Sequence, residues 1–168
     1  MAMDIIPAFQ TNDSCDTYIA QRDLSAADII GKAKELLAKR FSRGEPITTP
    51  SDSSNYLISQ LSELEHEVFA VLFLDNRHRV ISFDKMFTGT IDGASVHPRG
   101  VIKRALLHNA AAVILSHNHP SGVAEPSRAD AQLTKRLTDA LALVDVRILD
   151  HLIVGGAETV SFAERGLL

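Results

Sequence analysis

The sequence predicts a mixed α/β domain in which helices pack on a β-sheet. Three observations predict it. The length of 168 residues suits one domain with a small appendage. Short apolar runs typical of buried strands recur along the chain, and segments with helical spacing alternate with them. A composition of 45% hydrophobic and 23% charged residues is ordinary for a globular protein with a full core.

The chain begins with a predicted N-terminal extension, residues 1–45, that contains one helix. Residues 1–24 show no clear hydrophobic period, and we expect them to be loosely ordered. A helix is predicted near residues 26–41, because Ser25 and Asp28 form a capping-box pattern ahead of apolar residues at helical spacing.

A stretch rich in turn formers, residues 42–50, marks the predicted boundary of a second domain that covers residues 46–168. A helix is predicted to begin near Ser51 or Asp52. Its apolar face would carry Leu57, Ile58, Leu61 and Leu64.

Residues 67–75 are apolar at both odd and even positions, residues 110–117 indicate another buried strand, and residues 146–154 are predicted to form a final strand. The pattern of residues 67–75 is typical of a strand that is covered on both faces of a sheet. Residues 79–83 are a plausible hairpin partner of the first run, and residues 87–93, with two glycines, are predicted to be a loop or short strand.

Two further helices are predicted between these strands. Pro98 suits the first turn of a helix that runs to about His108. Residues 126–144 have the pattern of a long amphipathic helix. Its apolar face would carry Leu133, Leu137, Leu141 and Val144.

Composition also limits the function. The net charge of −4 gives no general basic surface for nucleic acid. The single cysteine, Cys15, excludes an internal disulfide and a cysteine-based zinc site. The first residues lack the basic and apolar regions of a secretory signal, and no apolar run approaches the roughly 18 residues of a membrane span. We therefore expect a cytoplasmic protein.

The stretch S-H-N-H-P-S-G suggests a metal site. His117 and His119 share a face if the strand continues past Ser116, and both can then reach one zinc ion. Asp130, on the next helix, could add a carboxylate and leave a fourth position for water, which is the layout of a catalytic zinc site. Alternatively, Ser127 and Asp130 form a helix cap and the histidines are exposed polar residues. The two interpretations are compatible.

Hydrolysis by zinc-bound water requires a general base, for which Glu67 is the best candidate. It begins an otherwise apolar strand and shares a face with Phe69 and Val71, whereas Glu63 and Glu65 lie in a more polar stretch. Alternatively, Glu67 is an exposed residue at the end of a strand and has no catalytic role, which fits its position equally well.

Other zinc or nuclease classes fit poorly. A nucleobase deaminase needs H-x-E and P-C-x-x-C, and a helical H-E-x-x-H protease motif is absent from the sequence. The letters H-N-H are adjacent here, whereas the nuclease motif of that name spreads its residues over two strands and a helix.

The combination of H-x-H, seven residues and S-x-x-D, with a glutamate upstream, resembles the JAMM motif of MPN-domain metalloproteases. A finer match is to the RadC family. The supporting stretches include E-V-F-A-V-L-F-L-D, F-T-G-T-I-D, E-P-S-R-A-D and L-D-H-L-I-V-G. The resemblance covers residues 46–168. The short N-terminal part resembles abbreviated RadC-like proteins of prophages and mobile elements, and Gly100 departs from the usual P-R-E.

The resemblance implies an MPN (JAMM) fold with one zinc ion per chain, ligated by His117, His119 and Asp130. Glu67 would take a proton from the bound water and pass it to the leaving amine, and Ser127 would help to hold the oxyanion. Relatives in the superfamily cut peptide or isopeptide bonds. Our first hypothesis is therefore a zinc metalloprotease or isopeptidase that acts on peptide or isopeptide-linked protein substrates.

A second hypothesis is a DNA-repair-associated accessory protein that binds nucleic acid without catalysis. It rests on the RadC label and on Arg99, Lys103 and Arg104, which lie on one predicted helix and could equally form a solvated face. A third is a scaffold, against which the intact ligand set argues. His151, after Asp150 in the last predicted strand, is expected to make a structural hydrogen bond.

Overall fold

The computed structural model describes residues 8–12, 17–42, 46–47, 49–89 and 96–168. The chain divides into two compact units, Met1–Leu37 and Ala38–Leu168. Our division into an extension and a domain at residues 45 and 46 stays a prediction. Cys15 lies outside the described residues, as do parts of the predicted break at 42–50 and of the predicted loop at 87–93.

The first unit contains a two-stranded antiparallel sheet that the sequence analysis missed. Strands β1 (Phe9–Asn12) and β2 (Thr17–Ala20) pair in the register Phe9 to Ala20. The expectation of a loosely ordered segment was therefore wrong for these residues, since four-residue strands with mixed polarity are too short to show a period. Helix α1 (Ala26–Ser42) begins where predicted, with Ser25 and Asp28 exchanging backbone-to-side-chain hydrogen bonds.

Helix α2 (Pro50–Leu61) begins one residue earlier than predicted because Thr49 is its N-cap. The Thr49 hydroxyl accepts from the Asp52 amide at 3.2 Å, and the Asp52 carboxylate accepts from the Thr49 amide at 3.1 Å. This capping box supplies an acceptor for the Thr49 amide and a second acceptor for the Asp52 amide, which also donates to the Thr49 carbonyl at 3.1 Å. Leu64 lies beyond the helix, contrary to prediction, because the helix ends at Leu61.

The second unit is built on one five-stranded mixed sheet. Its strands are β3 (Val68–Leu74), β4 (Val80–Thr88), β5 (Ala112–Asn118), β6 (Arg147–Gly155) and β7 (Glu158–Ser161). The order across the sheet is β4-β3-β5-β6-β7, and only the β5–β6 pair is parallel. A parallel pair needs a crossover, which helix α4 (Arg128–Ala142) supplies.

Helices cover both faces of this sheet, as the uniformly apolar strands predicted. One face packs on α4 and on helix α3 (Pro98–Leu107). Its core includes Phe69, Val71, Phe73, Val101, Ala105, Val113, Leu115, Leu137 and Leu141. Helix α2 buries Tyr56, Leu57 and Leu61 and contacts β5, β6 and β7. The mixed α/β class is therefore confirmed.

Two details of the sheet differ from prediction. Strand β4 continues to Thr88, beyond the predicted end at Phe83, because its pairing with β3 persists through a bulge between Phe69 and Ala70. Strand β7, which was not predicted, pairs Ser161 with Leu152 after a tight turn at Gly156. In the part of the chain that the structure describes, no helix has the length and apolarity to cross a membrane.

Candidate metal centre

The two histidines of the H-x-H stretch lie at the end of the central strand β5. His117 is the last but one residue of that strand and is 2% exposed. Extended pairing continues past the strand, because the His119 amide donates to the Val154 carbonyl at 2.8 Å. Residues two apart on an extended segment face the same way, so both imidazoles turn to the side of the sheet that carries α4.

The first turn of α4 brings Asp130 to the same place. Ser127 is the N-cap: its amide and its hydroxyl both donate to Asp130 Oδ2 at 2.7 Å, and its Oγ accepts from the Asp130 amide at 3.2 Å. The other carboxylate oxygen, Oδ1, lies 3.4 Å from His117 Nε2. The predicted cap is present, and one oxygen still faces the histidines.

Three side chains thus converge on one point. His117 Nε2 lies 3.0 Å from His119 Nε2, and His119 Nε2 lies 4.0 Å from Asp130 Oδ2. Among the described residues, this is the group of His, Cys, Asp or Glu side chains that could hold a metal ion, with ligand atoms within 4.8 Å of one another. Tetrahedral ligands of zinc are separated by roughly 3.3 Å, so the geometry and the donor types fit such an ion.

Burial keeps the inner imidazole in the state that a metal requires. It lowers the pKa of His117 to about 4; the Asp130 carboxylate opposes this effect and His119 adds to it. Metal ligation needs neutral imidazole, so an imidazole that resists protonation is ready to bind at neutral pH.

The proton position on His119 follows from one contact. His119 Nδ1 lies 2.7 Å from the Val123 carbonyl oxygen, which can only accept a hydrogen bond. Nδ1 therefore carries the hydrogen, and the Nε2 lone pair is left to face His117 and Asp130. Such partners of a ligand orient its ring and fix its tautomer.

His151 belongs to this centre, which the sequence analysis did not foresee. The expected structural hydrogen bond exists, but its partner is a candidate ligand: His151 Nε2 lies 2.9 Å from His117 Nδ1. His151 Nδ1 lies 2.6 Å from the hydroxyl of Thr134 on α4. Complete burial, then proximity to His117 and His119, lowers the pKa of His151 well below its ordinary value. A histidine inside an apolar strand was the available sequence signal.

The candidate base, Glu67, precedes the strand beside β5. The β3–β5 register pairs Phe69 with His117, and the same register extended by two residues would set Glu67 opposite His119. Phe69, which shares a face with Glu67, stacks on the His117 ring with centroids 6.4 Å apart. Glu67 is half-buried, and its carbonyl accepts from the Gly89 amide at 2.8 Å. Glu67 therefore stands directly before the strand that pairs with the one carrying His117, and its role as a base stays a prediction.

Asn118, between the two histidines, fixes the segment that carries Glu67. Its Oδ1 accepts from the Val68 amide at 2.8 Å, and its Nδ2 donates to the carbonyls of Leu64 and His66 at 3.3 and 3.1 Å. Asn118 is 2% exposed, so these bonds form away from water. This role of Asn118 could not be predicted from the sequence, because its partners lie 50 or more positions away along the chain.

We expect Gly155→Ala to damage this centre by displacing the loop that follows His119. A Cβ at Gly155 would lie 2.5 Å from the Ala124 amide nitrogen and 2.8 Å from the Gly122 carbonyl oxygen. The loop that presents the Val123 carbonyl to His119 would have to move, and we expect a loss of about 1–3 kcal/mol in the free energy of unfolding together with weaker metal binding.

Denaturant unfolding and metal titration measure the two effects of this substitution. Gly31→Ala in α1 is the matched control, because nothing lies within 4 Å of the added Cβ. Wild-type values for Gly155→Ala would show that the loop tolerates displacement and has no influence on His119.

We expect the metal-free protein to lose stability as the pH falls below about 6.5. His117 takes up a proton near pH 6.5 when unfolded but only near pH 4 when folded. In between, the unfolded state binds more protons, so each pH unit removes up to about 1.4 kcal/mol from the free energy of unfolding. His151, whose pKa is also lowered, acts in the same direction. Above pH 6.5 this contribution is complete.

Urea unfolding between pH 7.5 and 5, with a chelator present, tests this pH dependence. The exposed His66→Gln variant should keep it, and His151→Phe should reduce it. A flat wild-type profile would contradict the account.

The basic cluster on which the nucleic-acid hypothesis rests lies on α3, but one of its three members is engaged in an ion pair. Arg104 Nε donates to Asp84 Oδ2 at 2.6 Å, and His108 Nε2 lies 3.0 Å from the same oxygen. Arg104 is thus committed to an ion pair that joins α3 to β4, while Arg99 and Lys103 are exposed. Nucleic-acid binding stays a prediction.

Comparison with known proteins agrees with this architecture. The family model described as RadC-like JAB domain matches residues 47–167. A UPF0758 protein of Nitrosococcus oceani is 65% identical over 132 residues, which are 79% of this chain and 59% of that protein. One from Thioalkalivibrio sulfidiphilus is 60% identical over 140 residues, 83% of this chain and 62% of the relative.

The chain therefore spans about six tenths of the length of the curated relatives that it matches. The JAB domain family generally includes metallohydrolases, and the His117, His119 and Asp130 group is compatible with a metal site of that kind. On the match to most of its length, the chain belongs to the RadC-like JAB domain family.

Proposed function

We propose that this chain is a zinc-dependent metallohydrolase that cleaves peptide or isopeptide bonds with an activated water molecule. The observation that carries the proposal is the convergence of His117 Nε2, His119 Nε2 and Asp130 within 4.8 Å at the end of β5. Three protein ligands leave a fourth position for water, which distinguishes catalytic from structural zinc sites.

His117, His119 and Asp130 would hold a zinc ion, which would supply Lewis acidity and lower the pKa of water at this site. Glu67, which precedes the strand paired with β5, would accept a proton from the attacking water at its carboxylate and deliver it to the nitrogen of the leaving amine. Because Glu67 is half-buried, fewer molecules of bulk water can exchange protons with its carboxylate.

Ser127 has two functions in this scheme. Its hydroxyl donates to Asp130 Oδ2 at 2.7 Å in the structure, as does its amide at the same distance. In the reaction the hydroxyl turns to the developing oxyanion, while the amide keeps the carboxylate in place. A hydroxyl hydrogen directed at the developing negative charge stabilises the transition state.

The position of the centre favours a substrate with an accessible backbone. The loop that follows His119 is open to solvent, and Val123 beside it is 61% exposed. An extended peptide or the tail of a conjugated protein can approach such an open site, whereas a small ligand is usually enclosed by its pocket.

A panel of peptides and isopeptide-linked conjugates, incubated with the zinc-loaded protein, tests the proposal. We expect cleavage of at least one member, its loss on addition of a chelator and its return with zinc. Product masses would locate the cleaved bond. An intact panel with fully loaded protein would contradict the peptidase assignment, whereas cleavage that survives complete metal removal would contradict the metal mechanism.

A further inference from the structure

We propose that Thr134 and His151 form a hydrogen-bond relay that holds His117 in the tautomer a metal requires. Both are positioning residues: they act through His117 and do not reach the metal position themselves. The inference deepens the proposed function and rests on it, since it takes His117 as a ligand.

The relay is a continuous chain of three short contacts. Thr134 Oγ1 lies 2.7 Å from the Asp130 carbonyl oxygen and 2.6 Å from His151 Nδ1. His151 Nε2 lies 2.9 Å from His117 Nδ1. The exposed fractions of Thr134, His151 and His117 are 1%, 0% and 2%, so the positions of the protons are decided by these groups and not by water.

The direction of the relay is set at its outer end. The Asp130 carbonyl oxygen can only accept, so it takes the one hydroxyl hydrogen of Thr134. Thr134 Oγ1 then accepts from His151 Nδ1–H, which leaves His151 Nε2 bare. That nitrogen accepts from His117 Nδ1–H. The hydrogen of His117 is thereby placed on Nδ1, and its Nε2 lone pair faces His119 and Asp130.

The opposite direction would disable the site. If Thr134 donated to His151 Nδ1, His151 would donate to His117 and the His117 hydrogen would move to Nε2. That hydrogen would point into the group of ligand atoms, 3.0 Å from His119 Nε2. Orientation of one hydroxyl therefore decides whether His117 can ligate a metal.

Aromatic packing prevents the His151 ring from flipping about its Cβ–Cγ bond. Phe162 stacks on it with centroids 4.8 Å apart and an interplanar angle of 29°, and Phe69 contacts it edge-on at 5.8 Å. Phe69 also stacks on His117. With both rings fixed, a change of tautomer requires proton movement along the relay. Asp130 links the two ends, because its carbonyl begins the relay and its carboxylate is a candidate ligand.

Thr134→Val and Thr134→Ser form the matched pair that tests the relay. Valine keeps the shape of threonine but removes the hydroxyl, whereas serine keeps it. We expect the zinc dissociation constant, measured by chelator competition, to rise about 10- to 100-fold for valine and to stay near the wild-type value for serine. Equal affinities of the wild-type and valine proteins would overturn the relay.

The tautomer itself supplies a readout that needs neither metal nor activity. In metal-free protein at pH 7.5, imidazole nitrogen chemical shifts should show the hydrogen of His117 on Nδ1 in the wild type and in Thr134→Ser. In Thr134→Val the Nε2–H form should gain population. Nε2–H as the main form in the wild type would overturn the relay. A wild type that binds no zinc but shows these shifts would sink the proposed function and support the relay.

A second pair keeps the test valid if the Thr134 variants fold poorly. His151→Gln offers an amide oxygen near the place of Nε2, which can accept from His117 Nδ1–H, whereas His151→Phe offers no acceptor. Zinc affinity should fall less for glutamine than for phenylalanine, with thermal unfolding recorded for both. Equal losses of affinity in two folded variants would contradict the relay.

Discussion

Protein purified without added metal is expected to carry close to one zinc ion per chain, and Asp130→Asn is expected to lose most of it. Ser127 donates twice to one oxygen of Asp130, so the single oxygen of asparagine should take that place. The amide nitrogen would then face His117 Nε2, where the carboxylate Oδ1 lies at 3.4 Å. An amide NH₂ group cannot ligate zinc, and we expect affinity to fall by more than the roughly 10- to 100-fold typical of an outer partner.

Mass spectrometry of the metal content, followed by chelator competition, measures this effect. Ser127→Ala is the control for the cap. It removes the capping hydroxyl, at a cost of about 1 kcal/mol in stability, but leaves the carboxylate, so zinc should remain. Negligible zinc in both folded wild type and Asp130→Asn, persisting after zinc is offered, would leave Ser127 and Asp130 as a helix cap alone.

Glu67→Gln is expected to slow hydrolysis by about 10²- to 10⁴-fold while zinc content stays near one per chain. Glutamine has the size of glutamate but cannot take a proton from water at neutral pH. Glu67 is not among the candidate ligands, and Asn118 holds the neighbouring backbone independently of its side chain. The defect should therefore lie in the rate of the chemical step and not in the metal.

The initial rate on a substrate found in the panel, with metal content determined on the same sample, gives the two numbers required. Glu65→Gln is the matched control, since this residue is exposed and lies in the turn before β3. Unchanged hydrolysis by Glu67→Gln would remove the role assigned to Glu67. Loss of zinc would instead place Glu67 among the metal-binding residues.

Much of the centre could be predicted because its parts are local in sequence. An apolar strand that ends in H-x-H puts two imidazoles on one face, and S-x-x-D before a helix puts a carboxylate in its first turn. The contact between His117 and His151 could not be predicted in this way. It depends on the parallel pairing of β5 with β6, for which the register has an irregularity between Val113 and Ile114.

Long elements were predicted better than short ones, for a similar reason. Helix α4 is long enough to show a helical period, and strands β3, β5 and β6 contain apolar runs long enough to indicate buried strands. Strands β1, β2 and β7 have four residues each, and their existence depends on pairing partners and turns. The end of β4 at Thr88 likewise depends on β3, which continues to pair with it past a bulge.

The contacts that hold the candidate ligands come from the protein itself. Asp130 is held by its N-cap, His119 by a loop carbonyl, and His117 by His151. Small zinc domains, in contrast, fold only when the metal binds. A chain of this kind would stay folded after losing its ion, although it would be inactive. The proposed zinc-dependent activity would then follow the supply of free zinc in a cell, and its recovery after zinc starvation would need no new protein synthesis.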